Sequence, residues 1–245
     1  MSDPANNNTH AYYDVHDNVT GVRDAVDNLH TYEYDFNGHL LRILRDGGSK
    51  VREYIRDPAG NVTRMNDYDG SITHYSYDAL NRMTGISYPD DTTASFTYDA
   101  LSRLLTATNE TGTVTYTYDN RGRVSSVTDV WGYRVDYGYD NTGNRISLNV
   151  SEGQTGLYDM TYVYDAMNRV TSQTDAVNSV SYEYDATGNL TSRILNNAFT
   201  ATYGYDRLNR LTGINYAHSG NNLSGFAYEY DNAMKEAVSE NWTGR

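Results

Sequence analysis

The sequence predicts an all-β protein in which tandem β-hairpins form a curled or spiralling antiparallel ribbon, part of a hollow shell. Three observations predict it. Tyr-Asp pairs recur along the 245 residues at intervals of 20–25 residues. Each pair is preceded by alternating polar and aromatic residues and followed by turn-forming residues. Such a period means that each unit is one supersecondary element that must stack on its neighbours to bury its apolar face.

One unit shows how each hairpin is predicted. Thr115–Tyr118 alternates polar and aromatic side chains, which is typical of a half-buried strand. Asp119–Arg123 contains Asp, Asn and Gly, the residues that favour turns. Val124–Thr128 is rich in β-branched residues and predicts a second strand, and Asp129–Gly132 predicts the turn into the next unit. Every unit therefore contributes two short strands.

The recurring pairs divide the chain into three parts. Residues 1–10 form a polar N-terminal tail, and residues 11–230 form an array of about eleven units. Arg56-Asp57 fills the one position where Tyr-Asp is missing. Residues 231–245 are expected to be a degenerate last repeat or a capping segment. Within them, residues 231–240 fit either a short helix or a second strand.

In nine units the first strand carries aromatic residues at the Tyr-Asp position and two residues earlier. Because residues i and i+2 of a strand share a face, the array should carry a double aromatic stripe on one side. We expect the recurring pairs to be structural repeat positions: Tyr34, Asp35, Tyr77, Asp78, Tyr98, Asp99, Tyr118, Asp119, Tyr139, Asp140, Tyr164, Asp165, Tyr184, Asp185, Tyr205, Asp206, Tyr230 and Asp231.

The second strand fits a simple alternation less well. Leu211 and Ile214 are three residues apart, so a regular strand would place them on opposite faces. A β-bulge would reconcile them. A ribbon of roughly 22 strands with one aromatic face must also cover that face, and coiling achieves this.

Composition excludes several classes of function. The formal net charge is −13, which disfavours nucleic acid and anionic membrane surfaces as partners. The absence of cysteine excludes disulfides and thiolate metal sites. No signal peptide is visible in Met1–His10, and no apolar run is long enough to cross a membrane.

We expect no catalytic residue, cofactor or metal site. An Asp that recurs in every unit is better explained as a turn cap than as a catalytic carboxylate. An Arg four residues later suggests a charge pair across the turn, at Asp78/Arg82, Asp99/Arg103, Asp119/Arg123, Asp165/Arg169 and Asp206/Arg210. Residues 140–144 have oxygen ligands suited to calcium but match no established calcium-loop spacing. The histidines show no metal-ligand spacing.

Several turns resemble the YD repeats of the Rhs family. The matching segments are YDNRGRV at 118–124, YDNTGNR at 139–145, YDAMNRV at 164–170 and YDATGNL at 184–190, and the resemblance spans about residues 11–232. It implies a hollow β-ribbon shell, which in bacterial polymorphic toxins and insecticidal toxin complexes encloses a C-terminal toxic segment. Teneurin-type surface proteins carry a related shell used in adhesion. The family's Asp-Pro-rich self-cleaving core segment does not follow Tyr230, so self-cleavage is not carried over.

The resemblance implies a non-enzymatic wall module, extracellular or secreted, whose partners are other segments of a larger YD shell or copies of itself. Two alternatives stay open. One is an extracellular adhesion or carbohydrate-binding module, in which tyrosine rings stack on sugars. The other is a self-assembling filament protein. An enclosed toxin and a glycan are therefore rival partners, whereas nucleic acid and membrane insertion are not expected.

Overall fold

The computed structural model describes residues 9–230 and 236–242, the latter through their backbone. It contains strands throughout and one short 3-10 turn, Asp46–Gly48. The all-β expectation is confirmed. No helix in the described residues is long and apolar enough to cross a membrane.

Residue contacts divide the chain into two units, Met1–Thr115 and Tyr116–Arg245. Each is a meander in which antiparallel strands pair with their neighbours along the chain. The strands of the first unit are β1 (His10–Tyr13), β2 (Val19–Arg23), β3 (Leu29–Tyr34), β4 (Leu40–Arg45), β5 (Ser49–Arg56), β6 (Val62–Asp67), β7 (Ile72–Tyr77), β8 (Met83–Ser87), β9 (Thr93–Tyr98) and β10 (Leu104–Asn109). β11 (Gly112–Tyr118) runs across the boundary.

The second unit continues the same pattern. Its strands are β12 (Val124–Thr128), β13 (Tyr133–Tyr139), β14 (Arg145–Glu152), β15 (Thr155–Tyr164), β16 (Val170–Thr174), β17 (Ser179–Tyr184), β18 (Leu190–Leu195), β19 (Phe199–Tyr205), β20 (Leu211–His218), β21 (Asn221–Tyr230) and β22 (Glu236–Trp242). β22 pairs with β21, so residues 236–240 follow the strand alternative and not the helical one. Residues 231–235 lie outside the described residues, and the proposed three-part division of the chain stays a prediction.

A β-bulge in the second strand explains its irregular apolar spacing. Tyr205 pairs with Leu211, whereas Tyr203 pairs with Ile214, and Thr212 is the extra residue between them. Because Tyr203 and Tyr205 share a face, Leu211 and Ile214 share it as well. The same shift occurs beside Tyr13, Tyr34, Arg56, Tyr77, Tyr98, Tyr139, Tyr164, Tyr184 and Tyr230.

The aromatic stripe is half-buried rather than enclosed in a core. In β11, Tyr116 and Tyr118 are half-buried while Thr117 between them is exposed. The described residues contain two buried apolar side chains, Val180 and Ala201, and each is still 7 % exposed. A single-layer sheet thus leaves part of each ring accessible to water.

Candidate functional site

The recurring pairs occupy equivalent places in the fold. Each described tyrosine of a pair is the last residue of an odd-numbered strand, and each described aspartate is the first residue of the turn that follows. Asp231 lies outside the described residues. Within each unit these turns share one edge of the sheet, which we call the Tyr-Asp edge, and the remaining turns lie along the opposite edge.

The aspartate organises the turn through its backbone and its carboxylate. The Asp119 amide donates to the Arg123 carbonyl at 2.9 Å, and the Gly122 amide donates to the Asp119 carbonyl at 3.0 Å. Asp119 Oδ1 accepts from the amides of Arg121 and Arg123, at 2.9 and 3.0 Å. Gly122 has a φ of 82°, as expected for a turn followed by a left-handed residue. Gly143 and Gly188 occupy the equivalent position in their turns, with φ of 104° and 98°.

The second carboxylate oxygen binds the residue four positions later. Arg123 Nε donates to Asp119 Oδ2 at 2.7 Å, and Asn189 Nδ2 donates to Asp185 Oδ2 at 2.9 Å. The five Asp/Arg charge pairs expected from the sequence are all present, with nitrogen–oxygen distances of 2.6–2.7 Å. Arginine and asparagine are thus interchangeable partners, because each presents an N–H to the same oxygen.

These hydrogen bonds stabilise the ionised carboxylates. Side-chain donation from Thr187 and Asn189, together with backbone amides, lowers the pKa of Asp185 to about 2. At Asp140, desolvation opposes the shift, but donation from Thr142, Asn144 and the turn amides outweighs it and lowers the pKa to about 2. The carboxylates therefore stay charged at neutral pH and act as hydrogen-bond acceptors, not as proton donors.

Consecutive repeats meet at what we call the repeat junction, where the second strand of one repeat pairs with the first strand of the next. Between β12 and β13 the pairing starts at Ser126 and Asp136, so it does not extend to the Tyr-Asp edge. There the Tyr139 hydroxyl donates to the carbonyl of Val124 at 2.9 Å. A tyrosine side chain thus closes the junction where the backbone ladder is open.

The same contact recurs at other junctions in both units. Tyrosine hydroxyls donate to the first carbonyl of the preceding second strand at Tyr34–Val19, Tyr77–Val62, Tyr98–Met83, Tyr164–Arg145, Tyr184–Val170 and Tyr230–Leu211, with distances of 2.7–3.0 Å. Each hydroxyl donates a hydrogen bond to a carbonyl group that lies beyond the regular pairing of the two strands.

The turn arginine of one repeat also contacts the next repeat. The Arg123 guanidinium lies over the Tyr139 ring, with Cζ 4.3 Å from the ring centroid, and its Nη1 donates to the Asp140 carbonyl at 3.2 Å. Arg82 over Tyr98, Arg169 over Tyr184 and Arg210 over Tyr230 repeat the stacking, at 4.4–4.9 Å. One arginine therefore orders its own turn and covers the next aromatic ring.

Arg56 shows which property the Tyr-Asp position requires. This residue replaces the tyrosine, and its Nη2 donates to the carbonyl of Leu40 at 3.3 Å. Leu40 is the first residue of β4, so its carbonyl is equivalent to those bound by tyrosine hydroxyls elsewhere. Asp57 keeps the turn contacts, accepting from the Ala59 and Asn61 amides. Arg56 thus still donates a hydrogen bond across the repeat junction, although it lacks the aromatic ring of tyrosine.

The Tyr-Asp edge is built for hydrogen bonding within and between repeats. The oxygens of Asp140, the residue at the start of the candidate calcium loop, accept from three backbone amides, the Thr142 hydroxyl and the Asn144 amide. Among the described residues, no three His, Asp or Glu side chains lie close enough together to hold a metal ion. The contacts at this edge therefore stabilise each turn and connect one repeat to the next.

The teneurin YD-shell family model matches residues 90–245, and the RHS repeat family model matches residues 56–93. The first match covers more than half of the chain. The chain belongs to the YD-shell family. The resemblance inferred from the Tyr-Asp turns is therefore confirmed. In broad terms, the YD-shell chain is a structural shell module.

Solved structures show the same fold. The crystal structure of TcdB2-TccC3 without its hypervariable C-terminal region gives a TM-score of 0.55 at 15 % identity, covering 94 % of the YD-shell chain described here. The crystal structure of TcdB2-TccC3 gives a TM-score of 0.53 at 16 % identity and 91 % coverage. The YD-shell chain spans 16 % of the length of either chain. The comparison with curated proteins gives no match.

Sequence reasoning missed the contacts between repeats. It paired each turn arginine with the aspartate of its own turn, but not with the tyrosine of the next repeat. The signal was present, because Arg82, Arg123 and Arg169 each precede the next Tyr-Asp tyrosine by 15 or 16 residues. The role of the tyrosine hydroxyl had no sequence signal, because the open part of the repeat junction depends on strand register.

Proposed function

We propose that this chain is a non-enzymatic wall segment of a YD shell that curls around and encloses a polypeptide cargo. The family match, the tandem-hairpin fold and the structural likeness to TcdB2-TccC3 support this proposal. By the same reasoning its partners are other wall segments, and the enclosed polypeptide is a toxic segment made by a secreting cell. The Tyr-Asp pairs act as structural repeat positions.

The observation that carries the proposal is the closure of the repeat junctions. The Tyr139 hydroxyl binds the carbonyl of Val124, while Arg123 covers the Tyr139 ring. A wall must remain closed along its whole length, and this arrangement provides one polar and one stacking contact for each added repeat. Both carboxylate oxygens of Asp119, Asp140 and Asp185 accept hydrogen bonds from their own turns.

Glycan binding by the aromatic stripe is the alternative. It requires accessible ring faces, because sugars stack on the faces of aromatic rings. Arg82, Arg123, Arg169 and Arg210 cover the rings of four recurring tyrosines. This covering favours the wall function over the glycan-binding function.

A protection experiment tests enclosure. The chain is purified from its source cells under native conditions and treated with a broad-specificity protease, and the surviving polypeptides are identified by mass spectrometry after denaturation. We expect a protected polypeptide with the wild type and with Tyr68→Ala, because Tyr68 is 75 % exposed. The double variant Tyr139→Ala, Tyr184→Ala, which opens two junctions, should lose the protection.

The opposite results would overturn the proposal. Absence of any protected polypeptide, or equal protection in all three proteins, argues against enclosure by this wall. A glycan array provides the second measurement. Binding of a glycan by the wild type that is lost in the double variant would support the adhesion function instead.

A further inference from the structure

Two repeats are longer than the others, and their extra residues lie at the edge opposite the Tyr-Asp edge. The intervals from Tyr139 to Tyr164 and from Tyr205 to Tyr230 are 25 residues, against 20–22 elsewhere. In the first of these repeats, β14 and β15 reach 8 and 10 residues. The neighbouring β16 has 5 residues, so the β14–β15 hairpin extends beyond it.

The extension leaves one side of β15 without a strand partner. Thr155–Met160 pairs with β14, from Glu152 opposite Thr155 to Leu148 opposite Met160. Pairing with β16 begins only at Thr161, opposite Thr174. In the part of the chain that the structure describes, no strand therefore pairs with Thr155–Met160 on the β16 side. Such a free edge presents backbone N–H and C=O groups to an incoming strand.

A cavity of about 330 Å³ lies between this free edge and the turn that joins β16 to β17. Its apolar lining is accessible to solvent, since Leu157, Tyr158 and Val177 are 50 %, 41 % and 83 % exposed. Exposed apolar side chains beside unpaired backbone groups are the two features that strand-addition sites combine. Backbone groups provide hydrogen bonds, and the side chains provide pockets for alternate residues of the ligand.

The charge of the cavity indicates the kind of ligand. Its charged lining residues are Asp159 and Asp175, and no lysine or arginine lines it. Desolvation, and after it the negative charge of Asp175, raise the pKa of the Tyr158 phenol. A segment with lysine or arginine side chains complements these carboxylates, whereas an acidic segment is repelled.

We propose that the Thr155–Met160 edge binds an extended, basic polypeptide segment of another protein by strand addition. The backbone of the segment pairs with the free side of β15. Its apolar side chains contact Leu157, Tyr158 and Val177, and its cationic side chains lie near Asp159 and Asp175. A second copy of this chain is a poor ligand for this acidic cavity, because its net charge is −13.

Peptide binding to the intact chain tests the proposal. The probes are a capped peptide of alternating lysine and valine, the same peptide with N-methylated backbone amides, and a glutamate–valine counterpart. We expect the basic peptide to bind at low ionic strength and the N-methylated peptide to bind about tenfold more weakly, since hydrogen bonds to the edge are lost. The acidic peptide should not bind. Hydrogen exchange should show protection of the Thr155–Met160 amides.

Two charge-reversal variants locate the site. Asp159→Lys should weaken binding of the basic peptide by about tenfold or more. Glu183→Lys makes the same change at an exposed residue of β17 and should leave binding unchanged. Thermal unfolding of both variants shows whether they remain folded. The proposal is overturned if the basic peptide does not bind, if the N-methylated peptide binds equally well, if Asp159→Lys has no effect, or if protection occurs elsewhere.

Discussion

At the level of single residues, four recurring tyrosines each make one contact through the ring and another through the hydroxyl: Tyr98, Tyr139, Tyr184 and Tyr230. The ring of Tyr139 lies under Arg123, and its hydroxyl binds the carbonyl of Val124. Arg56 keeps only the second of these functions, through its guanidinium. Donation to a carbonyl across the repeat junction is thus the feature that Tyr139 and Arg56 share, which makes it the first to test.

Replacing Tyr139 with Phe removes the hydroxyl and keeps the ring. The carbonyl of Val124 then loses its donor, so the free energy of unfolding should fall by about 1 kcal/mol. Tyr137→Phe is the matched control on the same strand and should change stability by less. Urea denaturation of the two variants measures the difference. Equal effects of the two substitutions would show that the Tyr139 hydroxyl has no special role.

The turn glycine has a conformational role. Gly122 has a φ of 82°, where a side chain is disfavoured, so Gly122→Ala should lower the free energy of unfolding by about 1–2 kcal/mol. Asn120→Ala changes an exposed residue of the same turn and should have little effect. A tolerated Gly122→Ala would contradict the assigned turn.

At the level of elements, sequence reasoning predicted the hairpin better than the contacts between hairpins. The alternation in Thr115–Tyr118 and the turn residues after it act locally, so they could be interpreted from the sequence alone. The bulge at Thr212 could be suspected from the spacing of Leu211 and Ile214. The opening of the repeat junction was not predicted, because it depends on how the bulge changes the pairing between β20 and β21.

The turn carboxylates should make stability depend on pH. The pKa of Asp185 in the folded chain is about 2, below its ordinary value of 3.8, so the folded state binds fewer protons than the unfolded state. The stabilisation is fully present above the ordinary pKa and is lost as pH falls from there towards 2. The urea midpoint should therefore decrease over this acidic range.

Asp185→Asn provides the comparison. Asparagine keeps an acceptor oxygen but cannot ionise, so the variant should be less stable than the wild type at neutral pH. It should also lose less stability on acidification. Parallel pH profiles of the urea midpoint for the two proteins would show that ionisation of this carboxylate does not stabilise the turn.

At the level of the whole molecule, a ribbon of similar hairpins has similar first and last strands. β1 pairs with β2, and β22 pairs with β21. Pairing of the last strand of one copy with the first strand of another would be a heterologous contact that can propagate. We predict end-to-end association, measured as a mass that rises with concentration in light scattering. A strict monomer at high concentration would contradict this prediction.

The open repeat junctions also have a mechanical consequence. Where Tyr139 binds Val124, a side-chain contact and not a backbone ladder connects neighbouring hairpins at the Tyr-Asp edge. A force applied to the two ends should therefore separate the hairpins one after another. Each step would release about 21 residues, or ~70 Å of extended chain. A single-molecule stretching record should then show a regular sawtooth pattern. The ribbon would unfold in small steps, and it could refold from any hairpin that remains intact.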